Sequence, residues 1–332
     1  MKGNTGNGNT RRTMAKTLRT LLALTLLSAW CGEAPAKVIR VLAIGNSFSE
    51  DAVEQNLHEL GMATGDTMIV GNLYIGGCTL ERHWRNASGN AAEYRYRKVT
   101  DDGNRTQEDN VTIAKGLADE PWDYVSLQQA SGVSGMKPTF EPYLTHMVAY
   151  VRDRLPKAKL LWHMTWAYAK DSDHGEFPNY HNDQMEMYRA IISAAKKAMA
   201  DHGITTVVPS GTAVQNARTS AIGDHMNRDG FHLDYKHGRY TAACTWYETL
   251  TGRNVEGNSY VPQGLAQETA RLAQKAAHAA VRKPWKVTDL GSKRQKIRQH
   301  GHTPRAATTK HRQHDYAATE SPLWRNGVAF AP

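Results

Sequence analysis

The stretch Lys37-Val-Ile-Arg-Val-Leu-Ala-Ile-Gly-Asn-Ser-Phe-Ser49 decides the fold. Val38 to Ile44 is an aliphatic, β-branched run with one interruption, which predicts a strand buried on both faces. It stops at Gly45-Asn46-Ser47, and Ser49-Glu50-Asp51 opens a segment of helical period carrying Val53, Leu57 and Leu60. A serine between a buried strand's carboxyl end and the next helix sits where open α/β sheets place their ligands. Gly45 permits a sharp turn there, and free N–H groups at a helix start suit an anion. The plainer reading is a turn serine that caps the helix.

A second stretch, Asn227-Arg228-Asp229-Gly230-Phe231-His232-Leu233-Asp234, supplies what such a serine lacks. A hydroxyl is a weak nucleophile and needs an imidazole base, itself oriented by a carboxylate. Asp229 and His232, three apart with a glycine between them, can present both side chains to one site from one loop. Asp-x-x-His alone is short and common. Placed after Gly45-Asn46-Ser47 in the chain it is far more specific.

With these stretches in this order the chain resembles the SGNH/GDSL hydrolase superfamily, and within it a branch of unknown function, over residues 38–285. The resemblance implies a flavodoxin-like fold of three layers, α/β/α, around a mostly parallel five-stranded sheet. It implies a triad of Ser47, His232 and Asp229 working through an acyl-enzyme, with no metal or other cofactor.

Residues 67–74 read as a second strand that runs into Ile75-Gly76-Gly77-Cys78, after which Leu80, His83 and Trp84 have helical spacing. Acyl transfer builds negative charge on a carbonyl oxygen, and N–H groups aimed at that point lower the barrier. In the family a glycine of this block is such a donor, a role that falls to Gly76 or Gly77 beside the N–H of Ser47. A plain strand-to-helix turn is the alternative. The third strand, 122–127, leads into Gln128-Gln129, where most members carry Gly-x-Asn-Asp and use the asparagine amide as a further donor. A glutamine amide supplies the same N–H from one methylene further away. Some carbohydrate-acting relatives use one, so the role passes to Gln129, with Gln128 as runner-up and a structural loop glutamine as the alternative.

Further strands are expected at 159–165 and 204–208, and helices at 141–154, 185–199, 212–218, 239–250 and 265–281. That alternation argues a parallel sheet covered on both faces. Between 92 and 109, Tyr94, Tyr96 and Lys98 alternate with Arg95, Arg97 and Val99 ahead of Asp101-Asp-Gly-Asn104. This predicts an inserted β-hairpin that either lines a wall of the site or covers an edge strand. His163, inside the fourth strand, reads as a satisfied core histidine.

The chain of 332 residues suffices for one large domain or two small ones, and its net charge is +9. Of 41 Lys/Arg and 32 Asp/Glu, residues 1–36 hold five and one and residues 286–332 nine and three, which leaves 27 and 28 between them. A near-neutral domain lacks the basic face that nucleic-acid binding wants. Arg11, Arg12, Lys16 and Arg19 precede Leu21-Leu-Ala-Leu-Thr-Leu-Leu27, and Ala34-Pro-Ala36 offers a small-x-small cleavage site. Residues 1–36 therefore read as an export signal, with Met14 an alternative start. Arg11-Arg12 hints at a twin-arginine signal, and Cys31 raises a lipoprotein alternative that the bulky Trp30 opposes. No other apolar run is long enough to span a membrane, and the product is expected in the periplasm or outside the cell. The catalytic domain is expected over 37–285, followed by a basic, unfolded tail over 286–332. His300, His302, His311 and His314 reflect the tail's composition rather than a metal site. Cys78 and Cys244 remain after the signal, either as a disulfide or as small buried hydrophobes.

Three functions compete. The first is a serine esterase. The second is a metal-dependent enzyme, because Asp224, His225, Asp229, His232, Asp234 and His237 crowd together; it leaves Gly45-Asn46-Ser47 unexplained. The third is a catalytically silent glycan binder. A thiol nucleophile at Cys78 is disfavoured because glycines, not a base, flank it. Export, a near-neutral domain and the aromatics Tyr74, Trp84, Trp166 and Tyr168 near strand ends point to a hydroxyl-rich substrate bound by those four. Removal of O-acetyl groups from a polysaccharide or oligosaccharide is expected, with a lipid or other small ester as the alternative.

Overall fold

The structure, a computed structural model, describes Met1 and residues 36–291. The rest of the expected export signal, Cys31 included, and the tail beyond Gly291 lie outside the described residues. The strands are β1 (Val38–Gly45), β2 (Thr67–Tyr74), β3 (Tyr94–Val99), β4 (Arg105–Val111), β5 (Tyr124–Leu127), β6 (Lys159–His163) and β7 (Thr206–Val208). They join in one sheet in the order β4-β3-β2-β1-β5-β6-β7. The run β2-β1-β5-β6-β7 is parallel throughout. The hairpin β3-β4 adds to its edge antiparallel through β2.

The helices are α1 (Ser47–Val53), α2 (Leu57–Met62), α3 (Leu80–Ser88), α4 (Ile113–Ala118), α5 (Tyr143–Arg154), α6 (Gln184–His202), α7 (Ser210–Arg218), α8 (His237–Thr251) and α9 (Gln267–Arg282). Two sets pack within themselves, α1, α2, α7, α8 and α9 on one face and α3 to α6 on the other. Helix cover on both faces is why β1 can be aliphatic without alternation: Val41, Leu42, Ala43 and Ile44 are at most 1% exposed. The single helix expected after Ser47 is two, because Asn56 adopts φ +67° and breaks the ladder.

Two expectations are corrected or settled here. The folded part continues past 285: the N–H of Thr288 donates to Asn216 Oδ1 at 2.6 Å and that of Leu290 to Thr219 Oγ1 at 2.9 Å. Val287 and Leu290 pack on the core, apolar side chains within an otherwise polar run. Cys78 and Cys244 are both free and buried. Among the described residues no helix is long and apolar enough to cross a membrane.

Candidate active site

Ser47 stands at the junction of β1 and α1, but it is not the cap. Asn46 holds that position in extended conformation, its Oδ1 accepting from the N–H of Phe48 at 3.0 Å. The Ser47 hydroxyl is therefore left for another partner. It donates to His232 Nε2 at 2.8 Å, and His232 Nδ1–H donates to Asp229 Oδ2 at 2.7 Å. Asp229 Oδ1 accepts the N–H groups of His232 at 2.7 Å and Phe231 at 3.2 Å. Burial alone would raise the Asp229 pKa, but the bond and charge of His232 and these two N–H groups outweigh it and hold it below the usual carboxylate range. An ionised carboxylate on Nδ1 leaves Nε2 as the acceptor facing the hydroxyl.

The loop carrying Asp229 and His232 is held from three directions. Gly230 takes φ +86°, and a Cβ there would stand 2.9 Å from Ser172 Oγ, so only glycine suits the position. The carbonyl of Phe231 accepts the indole N–H of Trp166 at 2.8 Å. Third, Asp51, one turn into α1 and fully buried, accepts from Arg228 at 3.0 Å, from Arg239 Nε at 2.7 Å and from the N–H of Leu233 at 2.8 Å. One carboxylate thus ties the serine's helix to the histidine's loop. Sequence reasoning passed over Asp51; its signal was an acid facing the core side of a helix whose partner, Arg228, lies inside the Asp-x-x-His stretch.

The N–H groups of Ser47, Gly76 and Gly77 donate no backbone or side-chain hydrogen bond among the described residues. Gly76 and Gly77 are exposed, and a Cβ on Gly77 would meet nothing within 4 Å. Three donors without a partner among the described residues thus follow the paired ends of β1 and β2, the two glycines exposed.

Gln129 does not join them. Its Nε2 donates to the carbonyl of Thr139 at 3.0 Å and to Thr139 Oγ1 at 3.1 Å, and its Oε1 accepts from Leu80 and Ala130 N–H at 2.9 Å each. With its amide fully engaged it ties the start of α3 to the loop after β5. Gln128 is equally buried and gives its N–H to Asn46 Oδ1 at 2.9 Å.

Two of the four aromatics expected to bind substrate, Trp84 and Tyr74, keep a partly open face. Tyr74 is half-buried at the end of β2, with the Arg97 guanidinium 4.3 Å from its ring centre. Trp166 and Tyr168 are 0% exposed. The Tyr168 hydroxyl is 2.9 Å from Ser131 Oγ. Trp84 stacks on His146 of α5 at 4.6 Å. These wide apolar rings gain more from packing than from a solvent face. Sequence reasoning instead missed Phe231 and His174, both half-buried, with Phe231 4.0 Å from His232 and 4.6 Å from His174 between ring centres. The loop bearing His174 carries no pattern that would have marked it.

The hairpin covers the edge strand β2, as expected, and it also braces the serine's helix. Arg97, 1% exposed, reaches from β3 to Glu50 at 3.2 Å and Glu54 at 3.4 Å on the serine's helix. Burial, with the neighbouring Glu50 charge, pushes Glu54 up to about 7 against the opposing pull of Arg97 and Asn72.

The acids and histidines that suggested a metal are separately engaged, Asp224 by Arg218 at 2.7 Å and Asp234 by His237 at 3.0 Å. Among the described residues no group of three or more His, Cys, Asp or Glu is arranged to hold one. Burial pushes the Cys78 thiol up to about 12, which disarms it as a nucleophile. A cavity of about 840 Å³ lies at the other end of the sheet, against Val38, Tyr124 and Lys159.

The family described as "Domain of unknown function (DUF4886)" matches residues 40–280. The chain is similar to a DUF4886 family protein of solved structure from Bacteroides uniformis ATCC 8492, with 56% identity, 76% of this chain and 98% of that one covered, and a TM-score of 0.76. It is more distantly similar to a provisionally assigned SGNH hydrolase from Slackia heliotrinireducens, at 18% identity, 64% and 98% coverage and a TM-score of 0.45. No curated protein matches it.

Proposed function

Since the chain belongs to the DUF4886 family, a family of unknown function, we propose on the strength of its own site that it is an exported serine ester hydrolase. In this reading it removes O-acetyl groups from a polysaccharide or oligosaccharide. One observation carries it: hydroxyl, imidazole and carboxylate stand in line, Ser47 to His232 at 2.8 Å and His232 to Asp229 at 2.7 Å.

Ser47 Oγ attacks the ester carbonyl carbon while its proton passes to His232 Nε2. The carbonyl oxygen, now negative, takes hydrogen bonds from the N–H groups of Ser47 and of Gly76 or Gly77. Collapse breaks the bond to the alcohol oxygen, which leaves with the proton from Nε2. Water then attacks the acyl-serine, gives a proton to Nε2, and the acid departs as Oγ recovers it. Asp229 stays ionised throughout and steadies the imidazolium.

A short acyl group is supported by the surface. Within residues 36–291 the large apolar side chains that are exposed are Val38, Met62 and Tyr235. Val38 lies where β1 begins, at the far end from Ser47, and Met62 ends the helix that precedes β2. Neither of these gives a long chain an apolar bed beside the triad, where the half-buried Phe231 is a single ring, whereas Tyr74 and Tyr235 offer ring and hydroxyl to a sugar. Export rests on residues 1–36 as read from the sequence. The test is turnover of aryl acetate against aryl octanoate, together with acetate release from acetylated xylan. Acetate should be preferred at least tenfold, and a preference for octanoate would contradict the reading.

A further inference from the structure

A chain of buried polar groups runs beneath Ser47 across the sheet, with one member at or behind the carboxyl end of each parallel strand. Ser210 Oγ, after β7, donates to His163 Nε2 at 3.1 Å, and His163 Nδ1–H, in β6, donates to Gln128 Oε1 at 2.7 Å. Gln128 Nε2–H, after β5, donates to Asn46 Oδ1 at 2.9 Å. Asn46 Nδ2–H, after β1, donates to the carbonyl of Cys78, in the turn after β2, at 3.0 Å. None of the five residues is more than 2% exposed.

The direction of this chain is determined at each link. Asn46 Oδ1 also accepts from Phe48 N–H at 3.0 Å, so Nδ2 must face Cys78. Gln128 must then present its N–H to Asn46 and its oxygen to His163, whose Nδ1 carries the hydrogen. Burial pushes His163 down to about 3, so the ring is neutral and its Nε2 accepts.

The last link matters for chemistry. Asn46 directly precedes Ser47, and Cys78 closes the Gly76-Gly77 turn by donating its N–H to Ile75 at 3.2 Å. One side chain therefore sets the separation between the Ser47 N–H and the glycine N–H groups. We propose that Asn46, aligned by the chain from Ser210 through His163 and Gln128, is the residue that positions the two halves of the oxyanion hole. This rests on the serine-esterase reading. Such donors act only when held about 2.7–3.1 Å from the developing oxyanion, and a displacement of about 1 Å can cost roughly 10²-fold in rate.

The substitution Asn46→Asp keeps the shape and the acceptor for Phe48 and Gln128 but turns a second oxygen toward the Cys78 carbonyl. Two readouts are taken on the full chain: steady-state hydrolysis of an aryl acetate, and the rate at which a fluorophosphonate labels Ser47. For Asn46→Asp we expect kcat and labelling rate to fall together, roughly 10–100-fold, with KM within twofold and an unchanged circular dichroism spectrum. Gln128→Met removes the donor that orients the Asn46 amide, and should lower both rates severalfold; it decides the matter if Asn46→Asp does not fold. Wild-type kcat and labelling in a folded variant would overturn the positioning role alone, as would a rise in KM at constant kcat. A wild-type protein that the phosphonate does not label would sink the serine reading, and this role with it.

Discussion

Phe48 lies flat on Trp166, ring centres 4.3 Å apart and planes 12° from parallel, and the same indole donates its N–H to the carbonyl of Phe231 at 2.8 Å. The neighbours of Ser47 and of His232 thus share one side chain. Trp166→Phe should keep the stack and lose the hydrogen bond, at a cost of about 1 kcal/mol in urea unfolding. Because the bond steadies the histidine's loop, kcat should also fall severalfold at constant KM. A KM effect without a kcat effect would return Trp166 to substrate binding.

Asp51→Asn should be among the most damaging single-atom changes in the molecule. It leaves Arg228 and Arg239 facing a neutral amide in the core, and breaking such a buried pair costs about 3–5 kcal/mol. Unfolding within 1 kcal/mol of wild type would show the carboxylate is not the tie described.

Gln129→Ala should act on stability and not on chemistry. Removing the amide orphans the N–H groups of Leu80 and Ala130, each buried donor being worth about 1–3 kcal/mol. The folded variant should keep kcat within a few-fold. A kcat loss of roughly 10²–10³ with unchanged stability would restore Gln129 to the oxyanion hole.

Glu54 sets a pH dependence of stability. Its pKa is about 7 folded against an ordinary 4.5, so between those values the folded state holds a proton that the unfolded state has released. Stability should therefore fall as pH rises through 4.5 to 7, through this group. Urea midpoints across that window should show the decline in wild type and a flatter line in Glu54→Gln; identical slopes would contradict the assignment.

What was legible in the sequence was local. β1 reads from six aliphatic residues interrupted by one arginine, and β2 from 67–74 without error, because both strands advertise themselves in consecutive residues. Ser47, Asp229 and His232 stand in two short stretches whose own backbone presents the side chains. What escaped depends on partners remote in the chain. Gln129 looked free because Thr139 and Leu80 come to it only when two loops meet. Trp166 looked exposed because Phe48, which covers it, lies on another element altogether. Arg97 and Asp51 carry no mark of their burial, since nothing in a period-two or period-3.6 pattern tells a buried ion pair from a solvated one.

The central claim is that Ser47 is the nucleophile. The measurement that tests it most directly is kcat/KM of Ser47→Ala on an aryl acetate, beside its thermal unfolding. Ser47 is the first residue of α1, not its cap, and is only half-buried, so the variant should unfold as wild type does. Its hydrolysis should drop by many orders of magnitude, on the order of 10⁶. Activity within tenfold of wild type would contradict the account.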